Sequence, residues 1–131
     1  RGPSGAGKSD LALRCITSSA LLGGRPLQAA LVADDRVALR RDGPRLIASA
    51  PETIAGRLEV RGIGIIALPT VTEAAVALVV DLDPASSIER MPAPEATLIE
   101  GVSLPLLRLS AFEASSHLKL LLALAQSCDS V

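Results

Sequence analysis

Residues 2–9 read Gly-Pro-Ser-Gly-Ala-Gly-Lys-Ser, and this octapeptide constrains the chain more than any other feature. It satisfies G-x-x-x-x-G-K-[ST] at every fixed position, the Walker A pattern. Gly2, Gly5 and Gly7 let the backbone curl until successive N–H groups converge on phosphate oxygens, with Pro3, Ser4 and Ala6 completing the loop. Lys8 supplies a cation for the outer phosphates, and the Ser9 hydroxyl a ligand for Mg²⁺. Residues 10–22 carry apolar side chains at near-helical spacing, so a helix starting near Ser9 adds the positive end of its dipole. Only two of the thirteen basic residues are lysines, Lys8 and Lys119. One of them therefore stands in the loop.

Composition narrows the function classes. The 131 residues are 49% hydrophobic, enough for one folded domain with a real core. Phe112 is the sole aromatic residue, which argues against a module that stacks nucleic-acid bases on exposed rings. The formal charge of −1 argues against a duplex-binding surface, which would be basic. For a nucleotide, the same scarcity predicts that adenine lies on aliphatic or backbone contacts, with ATP favoured over GTP by no more than about tenfold. Cys15 and Cys128 show no metal-ligand spacing and read as reduced thiols of a cytoplasmic protein, Cys15 as core filler. No signal peptide is visible and no apolar run is long enough for a membrane helix.

Along the chain, Gly23-Gly24 is expected to stop the first helix. Residues 29–33 read as a short buried strand, and residues 36–41 with 45–50 as a hairpin around Asp42-Gly43-Pro44. Pro51 opens a short helical turn to about Ala55. Residues 57–61 alternate, and an apolar stretch 63–68 follows, broken by Gly62 and Gly64. Residues 74–82 read as one central strand, 84–94 as a loop, 102–109 as a strand and 112–126 as a helix. Strands mixed with helices at this length predict an α/β layer fold with a mixed sheet. A phosphate loop normally follows a strand, and only Arg1 precedes this one, so either the first strand has been cut away or the loop is less well supported than usual.

Phosphoryl transfer also needs carboxylates, one for Mg²⁺ and one to accept a proton. Asp34 and Asp35 close the apolar segment 29–33, and strand alternation would aim them in opposite directions. Asp81 and Asp83 end another apolar run, and Asp81 is the chief rival as the metal-side acid. In RLEVRGIGII, residues 57–66, Glu59 and Arg61 fall on one strand face with Gly62 and Gly64 following. These two side chains form either an exposed surface ion pair or a metal ligand and a phosphate contact, the glycines admitting close backbone approach. Spacing leaves both readings open.

Taken together, GPSGAGKSDLAL (residues 2–13), LVADDRV (31–37) and LEVRGIGII (58–66) resemble the catalytic domain of bacterial HPr kinase/phosphorylase. Similarity extends through VALVVDLD (76–83), Glu89-Arg90 and GVSLPLLRL (101–109), covering nearly the whole chain. The resemblance implies a single P-loop kinase domain over residues 1–131, with a mixed sheet, flanking helices and a PEP carboxykinase-like fold. It implies ATP and Mg²⁺ as cofactors and a serine of the phosphocarrier protein HPr as substrate. A cytoplasmic homo-oligomer, usually a hexamer, is implied as well. By the same resemblance Asp35 is the base, Lys8 the phosphate lysine, Ser9 and Glu59 the Mg²⁺ ligands, and Arg90 the catalytic arginine. The chain also departs from the family. The N-terminal domain and the histidine before the loop have no counterpart, and His117 is expected to be a solvated helix residue. The arginine-bearing segment tied to dephosphorylation is replaced by SAFEAS, residues 110–115, which favours kinase over phosphorylase activity. The stretch 18–28 is longer than usual. Two other readings stand beside a serine kinase: a small-molecule kinase with the same loop, and a nucleotide-sensing regulator that transfers nothing.

Overall fold

The computed structural model describes residues 1–51 and 56–129; the turn expected at Glu52 to Ala55 lies outside them. Helix α1 (Lys8–Thr17) follows the glycine-rich loop directly. It ends five residues earlier than apolar spacing suggests, because Ser18 and Ser19 compete with the helix for backbone partners. The Ser18 hydroxyl accepts from the Ala20 N–H at 3.2 Å. Gly23-Gly24 does not cap this helix. At φ 57° and 79° the pair turns a small hairpin between β1 (Leu21–Leu22) and β2 (Arg25–Pro26), as two successive left-handed residues do.

The expected strand at 29–33 is reduced to one parallel bridge between Leu31 and Thr70. Leu31 is buried, donating to the Pro69 carbonyl at 3.5 Å and accepting from the Val71 N–H at 3.0 Å. Pro69 has no N–H of its own, so the ladder does not extend. The hairpin β3 (Ala38–Asp42) and β4 (Arg45–Ser49) forms as expected, and β7 (Glu73–Ala75) joins the other edge of β4. A separate hairpin pairs β5 (Arg57–Val60) with β6 (Gly64–Ala67).

The apolar run 74–82 is not one strand. Its first residues belong to β7, and its last form β8 (Val79–Leu82), parallel to β10 (Val102–Leu109) in another sheet. The run splits because both sheets close on one core, in which Val76 and Val79 pack with Leu46, Val102 and Leu104. Strand β9 (Glu95–Ile99), which the sequence reading omitted, pairs antiparallel with β10 through the turn Glu100-Gly101. Helix α2 (Ser116–Asp129) begins later than expected and packs on α1. Leu11, buried Cys15 and Leu121 form the contact, with Leu27 and Leu82 against it. A mixed α/β architecture therefore holds.

Arg1 completes this frame. Its amine donates to the Val80 carbonyl, and its carbonyl accepts from the Leu82 N–H at 2.9 Å. Those are the two bonds of a residue paired in parallel with Asp81. The glycine-rich loop thus leaves from a strand position on the edge of β8 opposite β10.

Candidate functional site

The loop turns into α1 through Gly7, at φ 94°. A Cβ there would lie 2.8 Å from the Ala111 Cβ and 3.2 Å from the Phe112 ring. Both conformation and space demand glycine. At the other end of the loop, a Cβ on Gly2 would come within 2.9 Å of the Ala6 methyl, and the Ala6 N–H donates to the Pro3 carbonyl at 3.0 Å. The Lys8 ammonium reaches back across the loop, donating to the carbonyls of Gly2 at 2.6 Å and Pro3 at 3.1 Å. Gly2, Ala6, Gly7 and Lys8 thus serve the turn, and Lys8 also lines the cleft.

Ser9, on the first turn of α1, donates its hydroxyl to Asp34 Oδ1 at 2.6 Å. The second oxygen of that half-buried carboxylate accepts from the Glu59 backbone N–H at 3.4 Å. Asp34 thereby ties the helix start to β5. Asp35 is exposed and lines the same open cleft as Ser9 and Glu59. Asp34 and Asp35 thus differ in their surroundings, but strand alternation is not the reason, since residues 34–35 lie outside any strand.

The cleft, about 1170 Å³, is walled by Gly2, Ser4, Gly5, Gly7, Lys8 and Ser9 on the loop side. Asp35, Glu59, Arg61, Gly62 and Gly64 line it from the facing segments. The fold therefore gathers residues from three separated motifs into one cavity. It carries cations at Arg1, Lys8 and Arg61 and carboxylates at Asp10, Asp35 and Glu59. Gly62 and Gly64 shape the turn rather than admit a close neighbour, because a Cβ on either would meet nothing within 4 Å.

Several expectations need correction. Arg90 does not line the cleft; it is exposed in the loop between the 3₁₀ turn Ala85–Ser87 and β9. Position in sequence could not foresee this, because the path of that proline-rich loop is set by tertiary packing. Asp81, the expected rival as metal-side acid, does not line the cleft. The Arg1 guanidinium holds it at 2.7 and 3.0 Å, and that hydrogen bond draws its pKa below the ordinary value, against the opposing effect of burial. His117 is half-buried on α2, with Nδ1 enclosed and unpartnered, not solvated. It borders a separate hollow of about 450 Å³ with Arg14, Ser18 and Ser19, which contains none of the expected site residues. Finally, an aromatic ring does stand beside the glycine-rich loop. Phe112 lines the cleft while 73% exposed. Its only signal in the sequence was its singularity.

The family model described as "HPr Serine kinase C-terminal domain" matches residues 1–126. The chain belongs to that family. HPr kinase/phosphorylase of Geobacillus kaustophilus (strain HTA426) is 41% identical over 101 residues, covering 69% of this chain and 30% of the relative. The enzyme of the same name from Clostridium tetani is 45% identical over 69 residues, covering 53% and 20%. The chain thus spans about 30% of the length of the first of these relatives. The Hpr(Ser) kinase/phosphatase from Coxiella burnetii superposes with a TM-score of 0.76 at 24% identity, over 98% of this chain and 85% of that one. It shares the fold. Among the described residues, no helix is long and apolar enough to cross a membrane.

Proposed function

We propose that this chain is the phosphotransfer core of an ATP-dependent serine protein kinase whose substrate is HPr or a related phosphocarrier. The observation that carries the reading is the single cleft in which Lys8, Ser9, Asp35, Glu59 and Arg61 meet. Family membership supports the same reaction class.

The residues fit their partners chemically. Converging N–H groups of the loop and the Lys8 ammonium suit the phosphates of ATP. Mg²⁺ prefers oxygen donors and keeps phosphate and water among its ligands. The Ser9 hydroxyl and the Glu59 carboxylate are such donors. Among the described residues no cluster of three or more His, Cys, Asp or Glu forms an all-protein cage, so phosphate would complete the shell. Bound there, the ion would neutralise charge on the transferring phosphoryl group.

Asp35 is the base. As the serine oxygen attacks the γ-phosphorus, the Asp35 carboxylate takes the hydroxyl proton. The new O–P bond forms, the bond from the γ-phosphorus to the bridging oxygen breaks, and ADP leaves with that electron pair. Arg61 supplies charge to the phosphoryl oxygens. Asp34 is a positioning residue that fixes Ser9 against β5. The forward direction is favoured, since residues 110–115 offer no arginine to a phosphorolytic reaction.

Incubation of the intact protein with ATP, Mg²⁺ and HPr is expected to give phosphoserine on HPr. Absence of transfer to every HPr-like carrier overturns the proposal. A second reading, a nucleotide-binding regulator, draws on the position of Arg90 outside the cleft; it predicts MgATP binding with no transfer.

A further inference from the structure

Phe112 combines properties that do not usually coincide. Its side chain is 73% exposed, yet the backbone around it is held by several hydrogen bonds. Arg14 on α1 donates to the carbonyls of Ala111 and, at 3.1 Å, Glu113, so the residues flanking Phe112 are pinned to the helix that carries the phosphate loop. Buried Ser116 donates to the Ser110 carbonyl at 2.5 Å and accepts from the Glu113 N–H at 3.2 Å. The Ser110 hydroxyl accepts from the Phe112 N–H at 3.4 Å. Ser110 and Ala111 are themselves buried. The ring is therefore held out into the cleft on a fixed platform, at the hydrophobic cost of leaving an aromatic face in water.

Its position relative to the phosphate loop is equally specific. Two ring carbons lie 3.2 and 3.3 Å from where a Cβ on Gly7 would be, so the ring abuts the backbone expected to cradle the phosphates. The carboxylates Asp35 and Glu59 and the Arg61 guanidinium come to the cleft from other segments. At Gly7 itself the nearest neighbours are the Ala111 methyl and the Phe112 ring.

We infer that Phe112 is the nucleobase-binding residue of this site: the base of the bound nucleotide packs on its ring while the triphosphate lies in the glycine-rich loop. The inference rests on the nucleotide reading above and adds what selects the base. It replaces the expectation, drawn from the aromatic count, that aliphatic and backbone contacts alone would hold adenine. Purines, with the larger π-face, are favoured over pyrimidines.

The test separates base from phosphate by titrating ATP, CTP and tripolyphosphate, each with Mg²⁺, into the intact protein and its Phe112 variants. Phe112→Leu keeps an apolar contact beside Gly7 but removes the ring. It is expected to weaken ATP roughly five- to hundredfold, the range seen when a stacked aromatic is removed, and to leave tripolyphosphate unchanged. The ATP-over-CTP preference collapses with it. Phe112→Trp retains the platform and holds ATP at least as tightly. In NMR spectra, ring resonances identified by their loss in Phe112→Leu are expected to shift with ATP and stay in place with tripolyphosphate. Equal weakening of ATP and tripolyphosphate, or of neither, overturns the inference while the phosphate site stands. Failure of both ligands to bind the unaltered protein overturns the nucleotide reading and this inference with it.

Discussion

Gly7 and Gly5 separate two reasons for glycine within one loop. Both have left-handed backbones, at φ 94° and 84°, and an L-residue there costs about 1–2 kcal/mol. A Cβ on Gly5 meets nothing, whereas one on Gly7 meets Ala111 and Phe112. Gly7→Ala is therefore expected to lower the urea midpoint clearly more than Gly5→Ala does. Equal losses would show that the contact with residues 111–112 does not constrain the loop. At this same scale, short-range pattern singles out Lys8, Ser9, Asp34 and Asp35, through a loop-to-helix junction and an acidic pair, whereas spacing leaves Glu59 open between a surface ion pair and a ligand; Lys8, Ser9, Asp35 and Glu59 line one cleft. The placement of Arg90 and Phe112 was not legible in the sequence. Where each side chain ends up depends on how a loop is pinned to distant elements, as Arg14 pins residues 111–113. The Ser9–Asp34 bond at 2.6 Å gives a further expectation. Asp34→Ala should weaken MgATP about tenfold or more in calorimetry, while tripolyphosphate without Mg²⁺ binds unchanged; loss of both would make Asp34 a determinant of the loop fold instead.

Elements matter here chiefly as carriers, and the β5–β6 hairpin shows how. Leu58 is completely buried in β5, while Ile63 at the turn is 74% exposed. One residue anchors the hairpin and its neighbours Glu59 and Arg61 ride on it. Truncating Leu58 to Ala is expected to cost about 2–5 kcal/mol, measured by urea unfolding. Ile63→Ala should stay within about 0.5 kcal/mol. A mild Leu58→Ala would contradict the anchoring role. The β3–β4 hairpin and strand β10 were readable, since alternation and turn residues act locally, whereas for β5–β6 the alternation of 57–61 was read and its pairing with the following apolar stretch was not. What escaped the sequence was allocation. The apolar run 74–82 has a strand's composition, yet only the shared core around Leu46 decides that it divides between two sheets. Residues 29–33 are equally strand-like, but Pro69 leaves Leu31 a single bridge. The end of α1 hinged on a serine pair that periodicity ignores.

At the scale of the whole molecule, the start of the glycine-rich loop is clamped to the sheet by charge. Arg1 holds Asp81, and Arg108 bonds Asp83 at 3.1 Å and Glu95 at 3.1 Å. Because the Arg1 hydrogen bond lowers the Asp81 pKa, this carboxylate stabilises the fold above its ordinary value of 3.8. That contribution disappears as pH falls through its lower folded value. Wild type should therefore exceed Asp81→Asn in unfolding free energy by a constant margin above about pH 5, the margin shrinking toward pH 2. A margin independent of pH down to 2 would mean that the pairing does not operate in solution.

The central claim concerns the cleft as a whole: phosphates held by the loop, and a serine proton taken by Asp35. Its most direct test measures binding and transfer in the same two proteins, wild type and Asp35→Asn, with MgATP and HPr. The account predicts MgATP affinity within about threefold, and transfer of the γ-phosphoryl group to HPr serine reduced by about 10²–10⁴, the usual contribution of a general base. Transfer at the wild-type rate in Asp35→Asn would contradict it.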